Sequence, residues 1–188
     1  MIDNLRIILK PTLEKMGRGF ASTGLSPNFW TATGLVLVIL AAITYGLGVQ
    51  HSLLIGGVLL LGSGFLDVVD GQVARVTGRT SARGAYLDSM FDKIGEVAVF
   101  VGIMIGGYAD PLLVMLAITL SLLVSYARAK SDALGVHLAG VGIGERGERL
   151  LVVAIVCIAG YVEYAMMIVI AITAITVIQR IIVTVKKI

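Results

Sequence analysis

Asp67-Val68-Val69-Asp70-Gly71-Gln72-Val73-Ala74-Arg75, followed eight residues later by Gly84-Ala85-Tyr86-Leu87-Asp88-Ser89-Met90-Phe91-Asp92, is the stretch on which the reading of this chain turns. Four carboxylates interrupt two apolar runs. An ionisable side chain at membrane depth is costly and marks a functional site by default. Asp67, Asp70, Gly71 and Ala74 recur at i, i+3, i+4 and i+7, so they share one face of one helix; Gly84, Asp88 and Asp92 step by four along a second. Two such faces turned toward each other gather four carboxylates around one point. Hard oxygen ligands in that number predict a divalent-metal site. The bland alternative is a set of interhelical salt bridges to Arg75, Arg79, Arg83 and Lys93 with small-residue packing beside them.

Working outward, composition settles the class. The chain has 188 residues, 57% hydrophobic and 14% charged, with a mean hydropathy of +0.97. A soluble domain of this length does not carry that balance. The length suits about six membrane-spanning helices of ~20 residues each. The expected fold is therefore all-α: one integral membrane domain over residues 1–188, with six transmembrane helices between residues 30 and 183. A single cysteine, Cys157, excludes a disulfide framework and a cysteine-based zinc site. No cleavable signal is expected, because Met1–Lys15 carries charges throughout. His51 and His137 fall in expected loops and read as surface residues.

Residues 1–24 read as an amphipathic interfacial helix. Ile2, Leu5, Ile8, Leu9, Leu13 and Met16 alternate with Arg6, Lys10, Glu14, Lys15 and Arg18, a pattern suited to anionic headgroups. Pro11 is expected to kink or divide it. The six spans are expected near 30–49, 53–74, 85–108, 111–127, 149–160 and 164–183, with a glycine-bearing polar loop from Arg128 to Glu148. Fourteen of the 15 basic residues then fall on one side, Lys93 excepted. The positive-inside rule makes that side cytoplasmic, with both termini and the carboxylates toward it. Four carboxylates cannot stay ionised together without compensating charge, which two divalent cations would supply.

The pattern Asp67-x2-Asp70-Gly71-x2-Ala74-Arg75-x8-Gly84-x3-Asp88-x3-Asp92 resembles, position for position, the signature of the CDP-alcohol phosphotransferase family. The resemblance runs over nearly the whole chain. It implies a membrane enzyme of phospholipid biosynthesis in which an acceptor hydroxyl displaces CMP from a CDP-linked lipid. It implies that Asp67, Asp70 and Asp88 ligate Mg2+ or Mn2+, and that Asp92 is a further ligand or the general base. It also implies that Gly71, Ala74, Arg75 and Gly84 meet the CDP-lipid; the fork-shaped guanidinium of Arg75 suits a diphosphate. Arg79, Thr80 and Arg83 are equally readable as helpers or as interfacial charges. Glu96 stands outside the metal ligands, a partner for Lys93 or for a neighbouring helix.

Three later segments, Tyr126–Lys130, Glu145–Leu150 and Ile178–Arg180, resemble the branch of the family that makes phosphatidylinositol phosphate, and carry over as binders of the acceptor phosphate Arg128, Arg149 and Arg180. Arginine at 128 and glycine at 147 depart from the lysine and proline usual in bacterial members. The implied acceptor is inositol 1-phosphate, with glycerol 3-phosphate the alternative, and the resemblance also implies a homodimer. A divalent-cation transporter is the competing class. Acids clustered near one face, with Arg75 beside them, argue against a path for cations. A nucleic-acid binder is excluded by the apolar spans.

Overall fold

The computed structural model describes residues 2–138 and 140–188, the side chains of residues 2–10 excepted. Among the described residues there are seven helices and no strand: α1 (Ile2–Ala21), α2 (Pro27–Leu47), α3 (Ser52–Thr77), α4 (Ala82–Ile105), α5 (Pro111–Ala133), α6 (Arg146–Ile158) and α7 (Val162–Lys187). Their starts are set by local chemistry. Ser26 accepts from the Phe29 amide ahead of Pro27, Ser81 from Gly84, and Asp110 from Leu112 ahead of Pro111. Each satisfies an amide that the first helical turn leaves unpaired. Gly48 and Gly78 end α2 and α3 with left-handed backbone, where a Cβ is penalised.

Four helices, α2, α3, α5 and α7, are long and apolar enough to cross a membrane, and the chain is a multi-pass membrane protein. Helix α4 is as long as these, but Asp88, Asp92, Lys93 and Glu96 lie within it. Helix α6 has only 13 residues, about 20 Å of rise. Large apolar side chains lie exposed along all four crossing helices, among them Val36, Ile43, Val58, Met115 and Ile178, as contact with lipid requires.

The core runs through Val38, Tyr45, Leu60, Phe100, Ile103, Val153, Met166 and Val169, joining α2, α3, α4, α6 and α7. Close backbone approach sets the spacing. A side chain at Gly102 would run into the Ala42 carbonyl, and one at Gly57 into Ile158 and the Ala154 carbonyl. The second of these holds short α6 against α3 and carries Arg146, the first residue of α6, toward the acidic face of α3.

Several boundaries differ from expectation. Helix α1 runs unbroken through Pro11; its C-terminal half is supported from outside, with Gly17 against Gln72 of α3 and Phe20 edge-on to Trp30 at 5.1 Å, which offsets the one backbone bond proline removes. Of the apolar and basic positions assigned to its two faces, Ile2, Leu5, Arg6, Ile8, Leu9 and Lys10 lie outside the described side chains. Helix α5 extends to Ala133, so Arg128 and Lys130 are helical; the connection is residues 134–145. That connection is anchored where Thr176 of α7 accepts from the Ile143 and Gly144 amides.

Candidate metal centre and its flanking cavities

Helices α3 and α4 run alongside α2 and turn their acidic faces to each other. One carboxylate oxygen each from Asp67, Asp88 and Asp92 lie within 4.8 Å of one another. Two oxygens held at 2.0–2.6 Å from a common ion are separated by at most roughly 4–5 Å, so these three fit one divalent cation. Asp70 stands outside that trio. It is 7% exposed, and its Oδ2 is buried without a hydrogen-bond partner. An orphaned buried carboxylate oxygen is expensive, and beside an all-oxygen cluster it fits a further ligand position. A cleft of about 20 Å3, room for about one water-sized sphere, is lined by Asp67, Asp70, Asp88, Asp92, Thr31 and Arg146.

Arg146 is the residue that sequence reasoning passed over. Its Nη1 donates to Asp67 Oδ1 at 2.9 Å and also meets Asp92 Oδ1. In the sequence it looks like one more cytoplasmic-side base. The available signal was its position three residues before Arg149 in Glu145-Arg146-Gly147-Glu148-Arg149, which puts both guanidinia on one side of a helix start.

On one side of the carboxylates lies a cavity of about 200 Å3 between α2, α3 and the α3–α4 turn. Gly71, Ala74, Arg75 and Gly84 all line it, with Arg79 and Thr80. A side chain at Gly71 would meet nothing within 4 Å, so this glycine opens the cavity instead of seating another helix. Asn28 and Thr31 of α2 complete the wall; no motif in the sequence had pointed to them.

On the other side is a cavity of about 250 Å3 lined by Arg128, Arg146, Arg149 and Arg180, with Ser89, Ser125, Asp132 and Glu145. The three arginines expected to share an anion are therefore together, but two already have partners. Arg149 is 1% exposed and donates Nε and Nη2 to the two oxygens of Glu96 at 2.6 and 2.7 Å, and Nη1 to the Gly144 carbonyl at 2.5 Å. Glu96 thus holds α6 to α4. Arg180 donates to the carbonyls of Val124 and Val141 at 2.7 and 3.0 Å and lies 3.5 Å from Glu145. Arg128 is the open one, its side chain 48% exposed and 3.8 Å from Glu145. His137 is at the surface, bonded to Asp132.

Residues 25–185 match the CDP-alcohol phosphatidyltransferase family. Archaetidylinositol phosphate synthase of Pyrococcus horikoshii is 34% identical over 96% of this chain and 95% of its own length. The enzyme of that name from Methanothermobacter thermautotrophicus is 35% identical over 97% and 93%. Among solved structures, phosphatidylinositol phosphate synthase of Mycobacterium tuberculosis with CDP-DAG bound superposes with a TM-score of 0.76, at 25% identity over 92% of each chain.

Proposed function

Because this chain belongs to the CDP-alcohol phosphatidyltransferase family, we propose that it moves the phosphatidyl-type group of a CDP-lipid, CDP-archaeol or CDP-diacylglycerol, onto inositol 1-phosphate and releases CMP. It is a membrane transferase of phospholipid biosynthesis. The observation that carries the reading is one acidic cluster standing between two cavities of opposite character. One cavity is lined by the signature residues, the other by four arginines.

Divalent metal is the cofactor, Mg2+ or Mn2+, and the oxygen set of Asp67, Asp88 and Asp92 suits it, with Asp70 beside them. Bound there, a pair of ions would stabilise negative charge on the attacking and leaving oxygens. The chain's own residues do the rest. Gly71, Ala74 and Gly84 leave room for the cytidine nucleotide, and Arg75 takes the diphosphate. Arg128 and Arg180 hold the acceptor phosphate, with Arg149 fixed beside them by Glu96. Asp92 takes the proton of the attacking hydroxyl. The new bond joins that oxygen to the lipid-side phosphorus; the phosphoanhydride bond breaks and its electron pair leaves with CMP. Confining both substrates to adjoining cavities makes the encounter effectively unimolecular.

The whole chain, residues 1–188, acts as one membrane domain, with α1 lying at the interface and α2–α7 crossing six times. Helices α4 and α6 cross as members of the bundle, their charges turned inward as membrane-buried charges must be. The basic residues put both termini and the site on the cytoplasmic side of the cell membrane. By family resemblance the protein is a homodimer. Cysteines introduced at Arg79 and at Asp132 are expected to react with an impermeant thiol reagent from the cytoplasmic face, and one at Gln50 from the opposite face. Labelling of Arg79 and Gln50 from one face would refute the topology.

The reaction is tested by following CMP release from each CDP-lipid with inositol 1-phosphate, glycerol 3-phosphate, free inositol and serine. Inositol 1-phosphate should be the best acceptor and free inositol a poor one. If glycerol 3-phosphate won, the transfer chemistry would stand and the acceptor assignment would fall.

A further inference from the structure

Arg146 lines both the carboxylate cleft and the arginine-walled cavity. Its Nη1 bonds to Asp67 and to Asp92, two of the three acids whose oxygens are spaced for a cation. Its Nε is buried with no partner. A guanidinium and a divalent ion at these two carboxylates repel each other and draw on the same pool of acceptor lone pairs, so each weakens the hold of the other. The side chain is rooted at the first residue of α6, on the wall between the two spaces. Because the same side chain also lines the second cavity with Arg128 and Arg180, rotation about its own bonds is all that a move of the charged head toward them requires. A phosphate there could accept from Nη and from the now unpartnered Nε.

We infer that Arg146 is a displaceable counter-cation: it competes with the divalent metal for Asp67 and Asp92, and when metal takes them it turns into the arginine-lined cavity and helps hold the acceptor phosphate. Metal binding and acceptor binding are then linked through one side chain. The second half rests on the acceptor reading given above.

The test uses the full-length protein in lipid nanodiscs, without turnover. Mn2+ affinity is measured by the electron paramagnetic resonance signal of free ion, and inositol 1-phosphate affinity by calorimetry with Mn2+ or with chelator. R146Q should bind Mn2+ about ten- to a hundredfold more tightly than the unmodified protein, the size expected from removing one charged hydrogen-bonding competitor. Unchanged or weaker Mn2+ binding would overturn the competition. In the unmodified protein Mn2+ should tighten inositol 1-phosphate binding, and by linkage the phosphate should tighten Mn2+ to the same degree. R146Q should lose most of that gain; an undiminished gain would trace the coupling to direct metal–phosphate attraction and overturn the movement. Should R146Q fail to fold, Arg146→Met, which keeps the aliphatic stem and removes the charge, takes its place in both measurements with the same expected and overturning outcomes, and absence of coupling in the unmodified protein refutes the link outright. R128Q should weaken inositol 1-phosphate in both conditions and leave Mn2+ affinity unchanged. If R128Q bound inositol 1-phosphate normally, the acceptor reading would fail while the Mn2+ comparison kept its meaning.

Discussion

The acidic face of α3 and α4 and the arginine-lined cavity between α5, α6 and α7 are built in opposite ways. The first comes from one 26-residue stretch, Asp67 to Asp92, and its carboxylates gain each other as neighbours when α3 and α4, consecutive in the chain, both pack against α2. The second draws on α5, α6 and α7, and its arginines are separated by up to 52 positions. Its members also differ in what they are free to do. Arg149 spends its guanidinium on Glu96 and Gly144, Arg180 on two backbone carbonyls, and Arg128 stays open. Buried like charges on the acidic side need an added cation, whereas buried arginines on the basic side are mostly satisfied by the protein itself. That difference predicts loss of chemistry from one set and loss of structure or affinity from the other.

The largest effect is expected on the acidic side. Asp67→Asn or Asp88→Asn should abolish turnover, as should chelation of the intact enzyme, with Mn2+ binding lost in parallel and the fold retained by circular dichroism. Full turnover in EDTA would remove the metal from the mechanism and collapse the contrast. Asp92→Asn separates ligation from proton transfer. It should lower kcat by about 10²–10⁴-fold while CDP-lipid binding persists; undiminished turnover would strip Asp92 of the base role.

On the basic side the strut should matter most. Glu96→Gln leaves Arg149 buried with an incomplete partner and should destabilise the protein by about 3–5 kcal/mol, read from thermal unfolding in nanodiscs. The double variant Glu96→Met with Arg149→Met should recover most of that loss. If the single change were silent, the pair would not be the bolt between α4 and α6. The smallest effect is expected from Arg128→Gln. This half-exposed group should raise KM for inositol 1-phosphate by about tenfold, with KM for CDP-lipid little changed. A larger rise for CDP-lipid than for the acceptor would put Arg128 in the wrong cavity.

Legibility in the sequence follows the same divide. Spacings of three and four residues place Asp67, Asp70, Gly71 and Ala74 on one helical face and Gly84, Asp88 and Asp92 on another before any tertiary contact forms; that Gly71, Ala74, Arg75 and Gly84 meet one ligand is what the family resemblance implies, and the structure brings all four to one cavity. Asn28 and Thr31 complete that cavity from another helix and have no local pattern to announce them. The end of α5 was misplaced because Arg128, Lys130 and Asp132 look like loop residues. Arg128 and Lys130 are good helix formers, and packing of the far side, with Ser131 against Thr184 of α7, carries the helix on past Asp132.

By itself the sequence determined that this is a helical membrane protein with one acidic centre, because an apolar chain interrupted by four carboxylates at helical intervals has few other ways to keep its charges out of lipid. Only the tertiary structure decided which cation each acid meets. The close seat of Gly57 against α6 brings Arg146 to Asp67 and Asp92 and leaves Glu96 to Arg149. Those pairings span 79, 54 and 53 positions of chain. At such separations local spacing carries no information, and the partner is chosen by how closely two helices can approach.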